Sequence, residues 1–468
     1  MDGFIGRESE LKRMEGFFQS SKFRSCALVG RRRIGKTTLI ERFIENKRHI
    51  FFEFLEGPVE SNLRLAEEVM SDFKGEHRDY RDFIELFSDL DRVTSTERTV
   101  VVFDEFPYVS IRYEPFSSLV KNLIDRGKGR PFIIISGSSV KMMETEISDY
   151  SRPLYGRTER MDVEGLSITE CKEIYPNMKK TDLLSLYLTT HGSPFYVASL
   201  AADSYGDYLE RYVIPEQSLF HYEGEVMINR ELGDPGRFID ILDALSKGRT
   251  DAKAISDYSG MDVTSCKKYI RKLMEIGIIA ETIPMAGSKV KPIRYRFIDG
   301  MAALYYRVFR NIIGRNASFE SLKGQINTVL GRLFEIYCMD LISRAYDVRR
   351  IGTWTGKIPV SENGVLLRDE NGRHITEESD IDIVAEIVDG KNTIEMFAEC
   401  KFKSSKSDIK DLFELDRRME QVHGNGNRRR MLISVGGFTE ELKDYAENEG
   451  VLLVGMEQIM CEQSMPDL

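Results

Sequence analysis

Eight residues near the amino terminus settle much of the architecture: Gly30-Arg31-Arg32-Arg33-Ile34-Gly35-Lys36-Thr37 fits the pattern G-x-x-x-x-G-K-[ST]. The apolar run Ser25 to Val29 precedes them and a helical run from Thr38 to Asn46 follows. A loop of this kind aims successive backbone N–H groups at phosphate oxygens at the head of a helix, and its glycines permit close approach. Strand, loop and helix in that order call for an α/β domain with a parallel sheet. Further strands are expected at His49–Phe54, Thr99–Phe103 and Phe132–Ile135. Lys36 is then expected to reach the β- and γ-phosphates of a nucleotide and Thr37 to ligate magnesium. A basic turn without a ligand is the alternative.

The run Val100-Val101-Val102-Phe103 ends in Asp104 and Glu105. In α/β folds ligands bind at the carboxyl ends of the strands, so two acids emerging there suit a magnesium ligand, Asp104, and a group that orients attacking water, Glu105. Taken alone, two acids after a strand can equally be a solvated strand end.

With 468 residues the chain has room for about three domains. No apolar stretch approaches the ~20 residues of a membrane span. The amino terminus carries no basic flank followed by an apolar run, so the expected location is cytoplasmic, with no membrane partner. Six scattered cysteines and six histidines show neither C-x-x-C nor H-x3-H spacing, which argues against a structural zinc site. The net charge of −10 repels a polyanion, so a nucleic-acid surface has to be local.

Several segments together resemble the archaeal and bacterial STAND-type ATPases, relatives of the AAA+ proteins: Phe4-Ile5-Gly6-Arg7-Glu8, the basic loop, and Asp104-Glu105-Phe106-Pro107-Tyr108. The resemblance implies ATP and Mg²⁺ as cofactors. It implies a nucleotide held by Ile5, Gly6, Arg7, Gly30, Arg31, Arg32, Arg33, Ile34, Gly35, Lys36, Thr37, Thr38 and Asp104, with Thr37 and Asp104 at the metal. Ser136-Gly137-Ser138-Ser139 is similar to the family's sensor, placing Ser138 or Ser139 near the γ-phosphate, and Pro153-Leu154-Tyr155-Gly156-Arg157 to the segment that carries an arginine toward the pocket. Arg157 is equally readable as a surface arginine. Gly192-Ser193-Pro194 is similar to a lid element that couples nucleotide to lid position, with Pro194 at the nucleotide; an ordinary turn is the alternative.

The expected order is a P-loop ATPase core over 1–160, a helical lid over 161–232, a winged helix-turn-helix over 233–299, and linker helices with a last α/β unit over 300–468. Between Met261 and Arg296 eight basic residues (Lys267, Lys268, Arg271, Lys272, Lys289, Lys291, Arg294, Arg296) stand against three acidic ones. That excess suits a helix docked in a DNA groove with a wing touching phosphate. A protein-docking winged helix with a solvated basic face is the alternative.

Toward the carboxyl end, Asp380-Ile381-Asp382 on one strand and Glu399-Cys400-Lys401 on the next resemble the PD-(D/E)XK nuclease core of restriction-endonuclease-like folds. Alternation along a strand sends Glu399 and Lys401 to one face. The resemblance implies Asp382 and Glu399 as principal metal ligands, Lys401 as the catalytic lysine, and Glu335, in Gly331-Arg332-Leu333-Phe334-Glu335, as a supporting metal ligand. A folded but inactive scaffold is the alternative. The whole reads as an ATP-binding, slowly hydrolysing switch acting at DNA, or as an ATP-gated regulator that recruits DNA or a protein partner. A second copy of the chain is a further expected partner.

Overall fold

Strands β1 (Ser25–Val29), β3 (Val100–Asp104) and β4 (Phe132–Gly137) are buried along their whole length, as strands covered by helices on both faces must be. A computed structural model describes residues 4–20, 22, 24–126, 131–198, 200–232, 235–285, 293–362, 365–390, 392–422, 426–461 and 465–468. With β2 (His49–Glu53) and β5 (Glu159–Asp162) these strands form a parallel sheet in the order β2-β3-β4-β1-β5. Helix α1 (Glu8–Gln19) precedes the first strand, and α2 (Lys36–Ile44), α3 (Val59–Lys74), α4 (Phe83–Val93), α5 (Pro107–Ser110), α6 (Pro115–Arg126) and α7 (Val140–Ser148) connect the strands. One face of the sheet packs on an aromatic cluster that includes Phe52, Phe54, Phe83, Phe87, Phe103 and Phe116; the other packs on Leu39, Ile40 and Phe43 of α2. The amide of Glu85 donates to the Asp82 side chain and starts α4.

The chain divides into two compact units, residues 1–170 with 192–199, and residues 171–191 with 200–468. The segment expected as a lid is shared between them. It contains α8 (Ile168–Ile174), α9 (Lys180–Thr190), α10 (Pro194–Val197), α11 (Tyr205–Tyr212) and α12 (Glu223–Glu231).

In the second unit α13 (Gly236–Ser246), α14 (Ala252–Ser259) and α15 (Val263–Glu275) lead into an antiparallel pair, β6 (Ile279–Thr282) and β7 (Arg294–Phe297). Residues 286–292, and with them Lys289 and Lys291, lie outside the described residues. Next come α16 (Gly300–Arg307) and α17 (Phe319–Ala345), a 27-residue helix opened by a Ser318–Ser321 capping box. A mixed sheet in the order β14-β13-β12-β11-β8 follows, from β8 (Val348–Pro359), β11 (Thr376–Asp389), β12 (Asn392–Lys401), β13 (Asn427–Ser434) and β14 (Leu452–Val454). The short strands β9 (Ser361–Glu362) and β10 (Val365–Leu366) pair beside it, and α18 (Ile409–Met419), α19 (Glu440–Glu449) and α20 (Met456–Met460) complete the chain. The β6–β7 end joins this sheet: Thr353 donates its amide to the Ile283 carbonyl at 3.0 Å and Met285 donates to the Thr353 carbonyl at 2.8 Å.

Candidate functional site

The loop after β1 is shaped by close approaches. A side chain at Gly30 would meet the Val163 carbonyl oxygen at 2.4 Å, and Arg33 and Gly35 take left-handed conformations, φ 66° and 84°. The turn brings Lys36, the first residue of α2, back over the loop, where its Nζ donates to the carbonyls of Gly30 at 2.7 Å and Arg31 at 2.9 Å. Thr37 Oγ1 donates to Asp104 Oδ2 at 2.7 Å, and Asp104 Oδ1 accepts from the Ser136 hydroxyl and from the Glu105 amide. Glu105, at φ 51°, accepts from both the amide and the hydroxyl of Ser138, at 3.1 and 3.0 Å. Because β3, β4 and β1 are neighbours in one parallel sheet, their carboxyl ends bring these residues together. A hydroxyl and a carboxylate oxygen beside a buried ammonium form a donor set that suits Mg²⁺ and a polyphosphate.

Other expected residues of this site fall into place around the loop. Arg31, Arg32 and Thr38 are exposed, while the Ile34 side chain packs in the core, leaving only its main chain for a ligand. The Arg33 guanidinium lies 4.2 Å from the Phe195 ring centroid, Ser193 Oγ donates to the Arg33 carbonyl at 2.8 Å, and Pro194 Cγ lies 3.5 Å from where a Gly35 Cβ would stand. Ile5 is half-buried beside Gly6, whose missing Cβ makes room for the Glu170 carboxylate.

The carboxyl-terminal cluster is built from α17, β11, β12 and α18. The pairing of β11 with β8 shifts register between Ile381 and Val384, the stretch that holds Asp382. Asp382 Oδ2 then accepts from the Cys400 amide at 2.8 Å. Glu399 is buried, with Oε1 accepting from Lys401 Nζ at 2.8 Å and Oε2 from Arg418 Nη1 at 2.7 Å. Burial first, then the Glu399 and Glu335 charges, push the Asp382 carboxyl well above the usual range. Burial pushes Glu335 up to about 7, against the pull of Arg296. For Lys401 burial opposes the charge and Glu399 outweighs it, so its pKa is raised.

The metal site expected from Glu335, Asp382 and Glu399 is not formed: among the described residues no three His, Cys, Asp or Glu side chains gather in a way that could hold an ion. The physical reason is that Lys401 and Arg418 draw off both oxygens of Glu399. As folded, these residues do not fit a divalent cation.

On α15 the inward face is Cys266, Ile270 and Leu273, and Lys267, Lys268, Arg271 and Lys272 are exposed. Among the described residues none of these four cations makes an ion pair. Arg294 is exposed as well. Arg296 departs from the expected basic face: its Nη2 lies 3.0 Å from Met339 Sδ and its charge faces Glu335 rather than solvent.

The sequence profile of the AAA domain family matches residues 22–172. This part of the chain is similar to AAA-type P-loop domains. The full chain is similar to an uncharacterised protein of Methanocaldococcus jannaschii, 26% identical over 464 residues that cover 97% of this chain and 99% of that one. A 45-residue stretch is 44% identical to an ATP-binding protein of the same archaeon, covering 10% of this chain and 76% of the relative. Among solved structures, a Walker-type ATPase of Pyrococcus abyssi shares the fold at 18% identity and TM-score 0.51, over 65% of this chain and 96% of that one.

Two arginines expected at the nucleotide are engaged by protein groups. The Arg7 guanidinium is buried and engaged, donating to the carbonyls of Ile34 at 3.0 Å and Glu164 at 2.5 Å and pairing with Glu10 at 2.7 Å. It braces the loop through the Ile34 carbonyl. Arg157 precedes β5, where its carbonyl accepts from Ser25 Oγ at the start of β1, and its guanidinium pairs with Asp125 at 3.0 Å. Gly30 leaves the other end of β1, about 16 Å away at ~3.3 Å per residue, so Arg157 does not reach this domain's own loop. Residues that the sequence did not single out are Arg418 and Glu170. Nothing in their spacing marks them, because their partners are distant in the chain.

Proposed function

We propose that the chain is an ATP-binding, slowly hydrolysing switch of the STAND type that acts at DNA. The observation that carries this reading is the convergence of Lys36, Thr37, Asp104 and Glu105 at the carboxyl ends of adjacent parallel strands. Lys36 and the main-chain N–H groups of residues 30–37 would hold the phosphates, and Thr37 and Asp104 would hold Mg²⁺, whose charge offsets that of the phosphates. Glu105 would orient the attacking water once released from Ser138, and that restraint supports slow turnover. The contacts of Ser193, Pro194 and Phe195 with Arg33 and Gly35 support a coupling between nucleotide and the 192–199 segment. A switch further requires that ATP and ADP differ in affinity for its two states.

The exposed cations of α15 support DNA as the partner. Four phosphate contacts, at a slope near −0.9 each, imply a fall in affinity on the order of a hundredfold between 50 and 200 mM salt. For the carboxyl-terminal sheet the ion pairs at Glu399 favour the second reading, a regulator or scaffold without nuclease activity, over a nuclease.

ATP hydrolysis by the full chain, with and without duplex DNA, tests the proposal. Turnover is expected in the wild type and lost in Lys36→Ala, with DNA retained at low salt and released at high salt. Turnover that survives in Lys36→Ala contradicts the pocket. DNA binding indifferent to salt contradicts the α15 contact.

A further inference from the structure

Gly6 and Arg7 are consecutive residues in the left-handed region, each at φ 70°, and Arg7 has a Cβ to hold there. Strain of that kind persists only where surrounding contacts fix it. Here the contacts come from far along the chain. The Arg7 amide donates to Glu170 Oε1 at 2.8 Å, and a side chain at Gly6 would meet that same oxygen at 2.2 Å, so the turn closes directly on the carboxylate. The other oxygen, Oε2, accepts from the Ser167 amide at 2.7 Å, while Ser167 Oγ accepts from the Glu170 amide at 3.2 Å, a capping box that starts α8. Such a glutamate needs one oxygen for its own helix; Glu170 gives its second to a main-chain amide 163 residues away. From the turn the Arg7 guanidinium continues to the Ile34 carbonyl in the nucleotide loop.

We propose that Glu170 is a positioning residue for the base end of the bound nucleotide: it fixes the Gly6–Arg7 turn that borders the base, while the phosphates are held without it. This rests on reading the loop after β1 as the seat of ATP. Strand order sets the direction. β3 and β4 lie on one side of β1, and β5 lies on the other. Asp104, Glu105 and Ser138, assigned to the metal and the terminal phosphate, stand at the ends of β3 and β4, so the opposite end of the nucleotide runs toward the β5 side. There the chain leaving β5 approaches Gly30 at the Val163 carbonyl, accepts from Arg7 at the Glu164 carbonyl and reaches Glu170 in α8. Both oxygens of Glu170 are taken up by the Arg7 and Ser167 amides, so it acts through the turn rather than on the ligand. A turn held in one conformation binds without the ordering cost that a loose one adds.

Calorimetric titration of the full chain with ATP and, in parallel, with inorganic tripolyphosphate, both with Mg²⁺, tests the assignment, because tripolyphosphate carries the phosphates and no base. Where its own heat is small, its displacement of bound ATP gives the affinity. Glu170→Ala is expected to weaken ATP binding about tenfold and to leave tripolyphosphate within about twofold of wild type. Ser167→Ala removes the hydroxyl half of the capping box but not the Arg7 contact, and is expected to leave both ligands within about twofold. Unchanged ATP affinity in Glu170→Ala overturns the proposal. So does an equal loss for both ligands, which makes Glu170 a support for the whole loop, and so does a tenfold loss of ATP affinity in Ser167→Ala, which assigns the effect to α8. No uptake of either ligand by the wild-type chain overturns the nucleotide reading itself and the proposal with it. Should Glu170→Ala fail to fold, Glu170→Gln has one acceptor oxygen for two amides. It is then expected to weaken ATP about threefold with tripolyphosphate unchanged, and no loss overturns the proposal.

Discussion

The nucleotide loop and the carboxyl-terminal cluster are built from similar parts, a lysine and acids at strand ends, yet their charges are satisfied differently. Lys36 donates to the carbonyls of Gly30 and Arg31, neutral acceptors that solvate an ammonium without cancelling it. Lys401 and Arg418 donate to a carboxylate, which does cancel them. The first arrangement includes contacts to carbonyls of the loop itself. The second places a cation on each oxygen of Glu399. Motif residues alone therefore do not say whether a site awaits a ligand; the counter-charge around them does.

Breaking the comparison at its strongest point means removing the group that handles water. Glu105→Gln is expected to lower kcat for ATP by about a thousandfold while leaving ATP affinity within about twofold. Lys401→Ala is the matched substitution in the other region, and steady-state assays should find ATP turnover within about twofold of wild type, since that lysine serves Glu399. A large loss of turnover in Lys401→Ala would erase the distinction between the two regions.

The cations of α15 come next in size. Replacing Lys267, Lys268, Arg271 and Lys272 together by alanine should weaken duplex DNA binding by on the order of a hundredfold at low salt and flatten the salt slope by about 3.6, read by fluorescence anisotropy. Smaller again is Arg7→Ala, which leaves the Ile34 and Glu164 carbonyls without their donor. ATP affinity should fall about tenfold, accompanied by a lower thermal midpoint. An unchanged affinity would show that the loop needs no brace.

The smallest effect concerns stability, away from both regions. Asp89 is buried between Lys74 at 2.9 Å and Tyr80 at 2.7 Å; burial raises its pKa, but these partners outweigh burial and hold it below the ordinary value of 3.8. Its folded pKa is depressed, so its contribution is fully present above 3.8 and is lost as pH falls through the folded value. Asp89→Asn should cost ~1–3 kcal/mol at neutral pH, read by denaturant unfolding, with the gap to wild type narrowing below pH ~4.

The nucleotide loop was legible because its chemistry demands contiguous residues between one strand and one helix, and Asp104 and Glu105 because an apolar run delivers them to a strand end. Strand β5 was not, since Glu159, Arg160 and Asp162 leave only Met161 to bury and no apolar run forms. Strand β8 was missed for a related reason: it lies at the sheet edge, and only Gly352, Trp354 and Ile358 are buried along its twelve residues. Asp382 and Glu399 were expected on successive strands, and β11 and β12 pair with one another while Lys401 donates to Glu399. The ion pair of Arg418 with Glu399 was hidden, because Arg418 is nineteen residues from Glu399 and on a helix where it reads as one more surface arginine. Arg7 and Arg157 show the same limit in reverse. Short motifs placed both at the nucleotide, whereas tertiary partners such as Glu164 and Asp125 decide where a guanidinium points.

Isothermal titration of the full chain with ATP in the presence of Mg²⁺, beside the same titration of Lys36→Ala, addresses the account most directly. Saturable one-to-one binding in the wild type, lost in a folded Lys36→Ala variant, is the expected result. A folded wild-type chain that takes up no ATP, or a Lys36→Ala chain that binds it equally well, would contradict the account.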